Sequence, residues 1–144
     1  PNRWLALGAV AGLVVAAVAA RGSLRVVVAS GKASGWMALT AVALLGAVAA
    51  VVELIMGVTP HPTVHALGAT ASVLLGYVAL HAGAGLLFLF SNFQRIRNGY
   101  ISQRRCTDLR LTRLWLDYTL ATGVIALGLV LALPALVTVL GARP

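Results

Sequence analysis

The sequence predicts an all-α integral membrane protein: one domain over residues 1–144, built of four transmembrane helices with both termini on the outer side. Three observations carry this. The chain is 60% hydrophobic and only 10% charged, whereas a water-soluble domain normally carries about 25% charged residues to solvate its surface. Its apolar residues collect into four runs, each close to the roughly 20 residues that a helix needs to cross the hydrocarbon core. Its positive charges lie in alternate connections, the distribution that orients a multi-pass chain in a bilayer.

The first span covers residues 4–20 and is slightly short. Beyond it, Arg21, Gly22, Ser23 and Arg25 bracket a short apolar stretch, 24–29, that reads as part of a turn. The second span covers 36–57 and is interrupted only by Glu53 near its far end. The third covers 63–93. The fourth covers 114–140, with Thr107 or Asp108 as N-cap, so that its helix begins in the cytoplasm and carries Arg110 and Arg113 before entering lipid. Pro134 is expected to kink this helix or to sit near its outer end. Gly8 and Gly12 form a GxxxG pattern, and Gly46 with Ala50 a weaker one. Such pairs allow close helix approach, or merely reflect how abundant Ala and Gly are in this chain.

Charge sets the orientation. The first connection holds Arg21, Arg25 and Lys32; the second, 58–62, holds no formal charge. The third holds Arg95, Arg97, Arg104, Arg105, Arg110 and Arg113 against Asp108. The positive-inside rule therefore puts the first and third connections in the cytoplasm. The net charge of +8 is accordingly read as a topology signal, and no nucleic-acid partner is expected. The six arginines of the third connection also suit anionic lipid headgroups.

Little in the chain suits catalysis. Glu53, Asp108 and Asp117 are its only acids, too few for a carboxylate cage around a hard metal. One cysteine, Cys106, excludes an internal disulfide and a cysteine-based metal site. Glu53 and His65, joined by a short loop that contains His61, are placed to form an outer-leaflet pair, either a structural hydrogen bond or a proton-handling one. His81 stands sixteen residues after His65, about 24 Å along one helix, so the two do not share a metal, and no intrinsic haem is expected. Asp117 follows Arg113 by four residues, an i,i+4 ion pair on one helix face.

Gly76-Tyr77-Val78-Ala79-Leu80-His81-Ala82-Gly83-Ala84-Gly85 resembles the sixth-helix motif of subunit III of haem–copper cytochrome oxidases. Tyr77, His81 and Gly85 match that motif, and Val78 replaces its first histidine. Upstream, Glu53 lies near the distance of the family's glutamate at the end of the fifth helix. Downstream, Gly99-Tyr100-Ile101-Ser102 and Arg105 resemble the family's inner loop, and Leu114-Trp115 the start of its last-helix motif. Leu116 and Thr119 stand where that motif carries His and Asp, with Asp117 nearby. The likeness covers the four spans as a copy of helices four to seven.

The resemblance implies a non-catalytic component of a bacterial respiratory terminal oxidase, itself without a catalytic centre, that supports subunit I, has subunit II as a further candidate partner and binds phospholipid. Haem and copper belong to those partner subunits, and this chain binds neither. Glu53, His65, His81, Trp115 and Asp117 become its structural polar network, and the expected location is the bacterial inner membrane. A start at Pro1 suits a processed chain or the C-terminal part of a fused subunit I–III polypeptide. The alternative is a small proton-coupled transporter that uses Glu53 as its exchanging carboxylate.

Overall fold

A helix that starts beside Asn2 does not stop at Arg21. In the computed structural model, which describes residues 2–32, 35–58 and 66–141, α1 runs unbroken over Arg3–Ser30. Asn2 caps its start by accepting from the Trp4 N–H at 3.1 Å. Gly31 ends it in the left-handed region at φ 70°, donating its N–H to Val27 O at 2.8 Å. The turn expected around 21–25 is therefore absent, and packing explains why. Val27 is fully buried against Met37, Ile101 and Leu109, so stretch 24–29 has its own apolar cluster to fill. Gly22, the residue that suggested a turn, leaves room for the Trp36 ring, which a Cβ would meet at 2.7 Å.

The remaining helices are α2 (Gly35–Val58), α3 (Ala66–Arg97) and α4 (Thr107–Gly141). All four helices are long and apolar enough to cross a membrane. α4 runs through Pro134 without a break. Each helix packs on two others: α1 and α3 each lie against α2 and α4, and among the described residues the diagonal pairs make no comparable contact. Adjacent helices are antiparallel. Gly22 meets Trp36 while Gly12 meets Ala43, and Arg21 meets Asp117 while Leu13 meets Gly123.

The core is built of small and medium side chains. Ala9, Leu13, Ala16, Leu44, Ala47, Val51, Leu75, Val78 and Leu127 are buried in one cluster. Only one half of the GxxxG pattern acts there. A Cβ on Gly12 would lie 3.0 Å from the Ala43 carbonyl and 3.1 Å from Ala47 Cβ, whereas Gly8 and Gly46 have open space beside them. Buried hydroxyls are satisfied within their own helices, as a lipid-surrounded bundle requires. Ser23 donates to Ala19 O at 3.1 Å, Thr40 to Trp36 O at 2.7 Å and Thr119 to Trp115 O at 2.8 Å.

The two basic connections lie at one end of the bundle. Segment 98–106 turns at Gly99, φ 75°, and Ser102 and Arg105 exchange backbone hydrogen bonds at 3.0 and 3.2 Å. Gln103 Nε2 then donates to Ala29 O at 2.8 Å, satisfying one of the carbonyls that a helix end leaves open. Nine of the eleven Lys and Arg residues, all but Arg3 and Arg143, fall in or near these connections.

Candidate functional site

The polar side chains concentrate along the seam between α3 and α4. At its basic end Arg95 Nη1 pairs with Asp108 Oδ2 at 2.5 Å. Next, buried Asn92 donates to Thr112 Oγ1 at 2.7 Å, and Thr112 donates to Asp108 O at 2.9 Å. Then Trp115 Nε1 donates to the His81 carbonyl at 3.0 Å. Last, the Tyr77 and Tyr118 hydroxyls share a hydrogen bond of 2.7 Å. Interhelical hydrogen bonds of this kind average about 0.6 kcal/mol in membrane proteins. Asn92→Val is therefore expected to lower stability by about 0.5–1.5 kcal/mol, read from reversible unfolding in mixed micelles; an unchanged midpoint would show that the bond contributes nothing.

His81 is the centre of an aromatic group. Its ring lies 4.0 Å from that of Tyr77 and 5.8 Å from that of Tyr118, and it stacks on Trp115 at 5.2 Å with 5° between planes. Phe88 meets Trp115 edge-on at 5.3 Å. Tyr77 and His81 are four residues apart on α3, Trp115 and Tyr118 three apart on α4, so each pair shares one helix face. His81 Nδ1 lies 3.0 Å from Tyr77 O. A carbonyl only accepts, so this contact assigns the proton to Nδ1 and leaves Nε2 of the neutral ring as an acceptor. Among the described residues Nε2 has no partner.

A second polar group joins α1 to α4. Asp117 accepts from Arg21 Nη2 at 2.8 Å and faces Arg113 Nε at 3.6 Å, so one carboxylate lies between two guanidiniums. The i,i+4 pair read from the sequence is present, but the shorter contact comes from another helix. Arg113 Nε itself is buried without a hydrogen bond.

These contacts divide the residues expected to act together. His81 and Trp115 touch. Asp117 belongs to the separate group with Arg21 and Arg113. Glu53 is exposed on the outside of α2 and forms no hydrogen bond or ion pair among the described residues. His65 and His61, and with them the expected Glu53–His65 pair, lie outside the described residues. Of the six arginines assigned to lipid headgroups, Arg95 and Arg113 are engaged with carboxylates, and Arg97 lies 5.9 Å over the Phe93 ring. Arg104, Arg105 and Arg110 are exposed. Among the described residues no group of three or more His, Cys, Asp or Glu side chains lies close enough to hold a metal ion. His81 is the one described histidine.

The fold defines the class: the described residues include four helices able to span a membrane, hence a multi-pass membrane protein. Compared with known protein families, curated proteins and solved structures, the chain matches none.

Proposed function

We propose that the chain is a non-catalytic, subunit III-like component of a haem–copper terminal oxidase in a bacterial inner membrane. It supports subunit I, borders subunit II and carries phospholipid, while haem and copper reside in those partners. The observation that carries this reading is a meeting of segments far apart in sequence. The stretch around His81 and the Leu114-Trp115 stretch each resemble a separate motif of that family, and here they interlock. Trp115 donates to the His81 carbonyl, and Gly85 leaves the space into which Leu116 packs.

In this reading the end that gathers the basic connections faces the cytoplasm and both termini face outward, in keeping with the positive-inside rule. Arg97, Arg104, Arg105 and Arg110, which make no ion pair among the described residues, then lie at the depth of anionic headgroups. The transporter reading draws no support from the depth of Glu53. That residue stands five positions from the end of α2, about 8 Å along the axis, whereas exchange sites of such proteins lie near the midplane.

Purification from native membranes in mild detergent tests the proposal. The chain is expected to return with a haem-carrying subunit in a fixed ratio, seen as haem absorbance that follows the chain through size exclusion. Recovery as a stable haem-free homodimer would overturn it.

A further inference from the structure

Two outward faces of the bundle differ in kind. On α2 the exposed side chains Leu39, Val42, Leu45 and Val52 are aliphatic and match lipid tails. The outward side of the α3–α4 seam does not. Tyr118 is 50% exposed there, the ring of His81 is half-buried beside it, and Leu80, Leu111 and Leu114 on the same two helices are exposed. His81 packs on Trp115 and beside Tyr118, which stand eight and eleven residues into α4, about 12–17 Å from its basic end and inside the span that begins at 114. Polar groups at that depth are costly to leave facing hydrocarbon.

The hydrogen-bond inventory defines what covers them. With Nδ1 donating to Tyr77 O, His81 Nε2 presents a lone pair. Tyr77 and Tyr118 share one hydrogen bond, which uses one of their two hydroxyl protons, so the pair keeps one O–H to donate outward. The seam thus offers an acceptor and a donor side by side, and acyl chains satisfy neither. One carboxylic acid or primary carboxamide answers both from a single side chain: its O–H or N–H bonds to Nε2, and its carbonyl accepts from the tyrosyl O–H. Toward the basic end the same seam holds a hollow of about 220 Å³ lined by Phe88, Asn92 and Leu111 among others.

We infer that the α3–α4 seam docks a transmembrane helix of another polypeptide, and that this helix presents a protonated carboxyl or a carboxamide to His81 and the Tyr77–Tyr118 pair within the membrane. The identity of that polypeptide as the haem-carrying subunit rests on the function proposed above; the chemistry of the contact does not.

A photo-crosslinking residue placed at Leu114, with one at Leu45 on α2 as control, tests this in the complex taken from native membranes. Leu114 is expected to capture a helix of a different chain that carries Asp, Glu, Asn or Gln within its span, and Leu45 to capture none. In parallel, interhelical hydrogen bonds are each worth roughly threefold in association, so combining His81→Leu with Tyr118→Phe is expected to reduce co-purification about tenfold. His81→Gln, which keeps an acceptor, is expected to restore part of that loss, and unchanged helical circular dichroism separates weakened docking from unfolding. Capture of a second copy of this chain, of lipid alone, or of a helix without such a group overturns the inference, as does wild-type recovery of the double variant. If the chain returns with the haem subunit but Leu114 captures nothing from it, the docking face fails and the subunit reading stands. If Leu114 captures a carboxyl- or carboxamide-bearing helix of a haem-free polypeptide, the subunit reading fails and the docking face stands.

Discussion

Gly12→Leu is expected to destabilise the bundle by about 1–3 kcal/mol, the usual cost of forcing bulk into a packed interface, while Gly8→Leu is expected to be neutral or mildly stabilising. The two residues belong to one GxxxG pattern, so a generic effect of enlarging a glycine would move both alike. Their surroundings differ. A Cβ on Gly12 would press on the backbone of α2, at 3.0 Å from the Ala43 carbonyl and 3.3 Å from the Ala47 N–H nitrogen. Backbone does not swing aside as a side-chain tip does, so α1 and α2 must separate and lose the dispersion contacts that hold helices together in lipid. At Gly8 nothing lies within 4 Å, and leucine there gains roughly 0.5–1 kcal/mol of helix propensity. Reversible unfolding in mixed micelles, followed by circular dichroism, distinguishes the two. Equal losses at both positions would show that α1 does not approach α2 through Gly12.

That pair of glycines illustrates what hydropathy makes readable. Length and apolarity located the four helices, because crossing about 30 Å of hydrocarbon demands that many apolar residues in a row. They did not locate faces. In a water-soluble bundle the polar side of each helix marks the outside. Here Leu45 and Leu44 are neighbours of one residue type, one 56% exposed and the other fully buried. The close-approach glycines could not be ranked for the same reason, and Gly46 proved to face open space while Gly22 and Gly123 lie at contacts.

The same limit applied to the end of α1. Arg21 and Arg25 resemble the border of a span, yet long cationic side chains can leave an apolar helix and still reach polar surroundings. What keeps the helix intact to Ser30 is Val27, buried beneath Ile101 and Leu109, a contact between segments some 75 positions apart. The α3–α4 seam was partly legible. Tyr77 and His81 at i,i+4, and Trp115 and Tyr118 at i,i+3, each place two ring-bearing polar residues on one face of an apolar helix. That regularity was available from the sequence; the pairing of the two faces, which makes Tyr77 and Tyr118 partners, required the fold.

Asp117→Asn is expected to cost more than any single loss along the seam, because it leaves two cations facing each other. Arg21 and Arg113 approach the same carboxylate from two helices, ten residues into α4 and so about 15 Å from its start. With the carboxylate neutral, the guanidiniums lose their shared counter-charge, and Arg113 Nε, already buried without a hydrogen bond, keeps its desolvation cost without compensation. Breaking a fully buried pair costs about 3–5 kcal/mol. The side chains here retain 44%, 26% and 43% exposure, and that screening brings the expected loss down to about 1–3 kcal/mol. Arg21→Gln in the Asp117→Asn background should then recover part of the loss, since it removes the repulsion that the first change created. A double-mutant cycle measures this directly. A coupling near 1 kcal/mol or above that survives raised salt supports a desolvated triad holding α1 against α4. Additive losses, or a coupling abolished by salt, would reduce the contact to a surface ion pair and leave small-residue packing, around Leu13 and Gly123, as what joins those two helices.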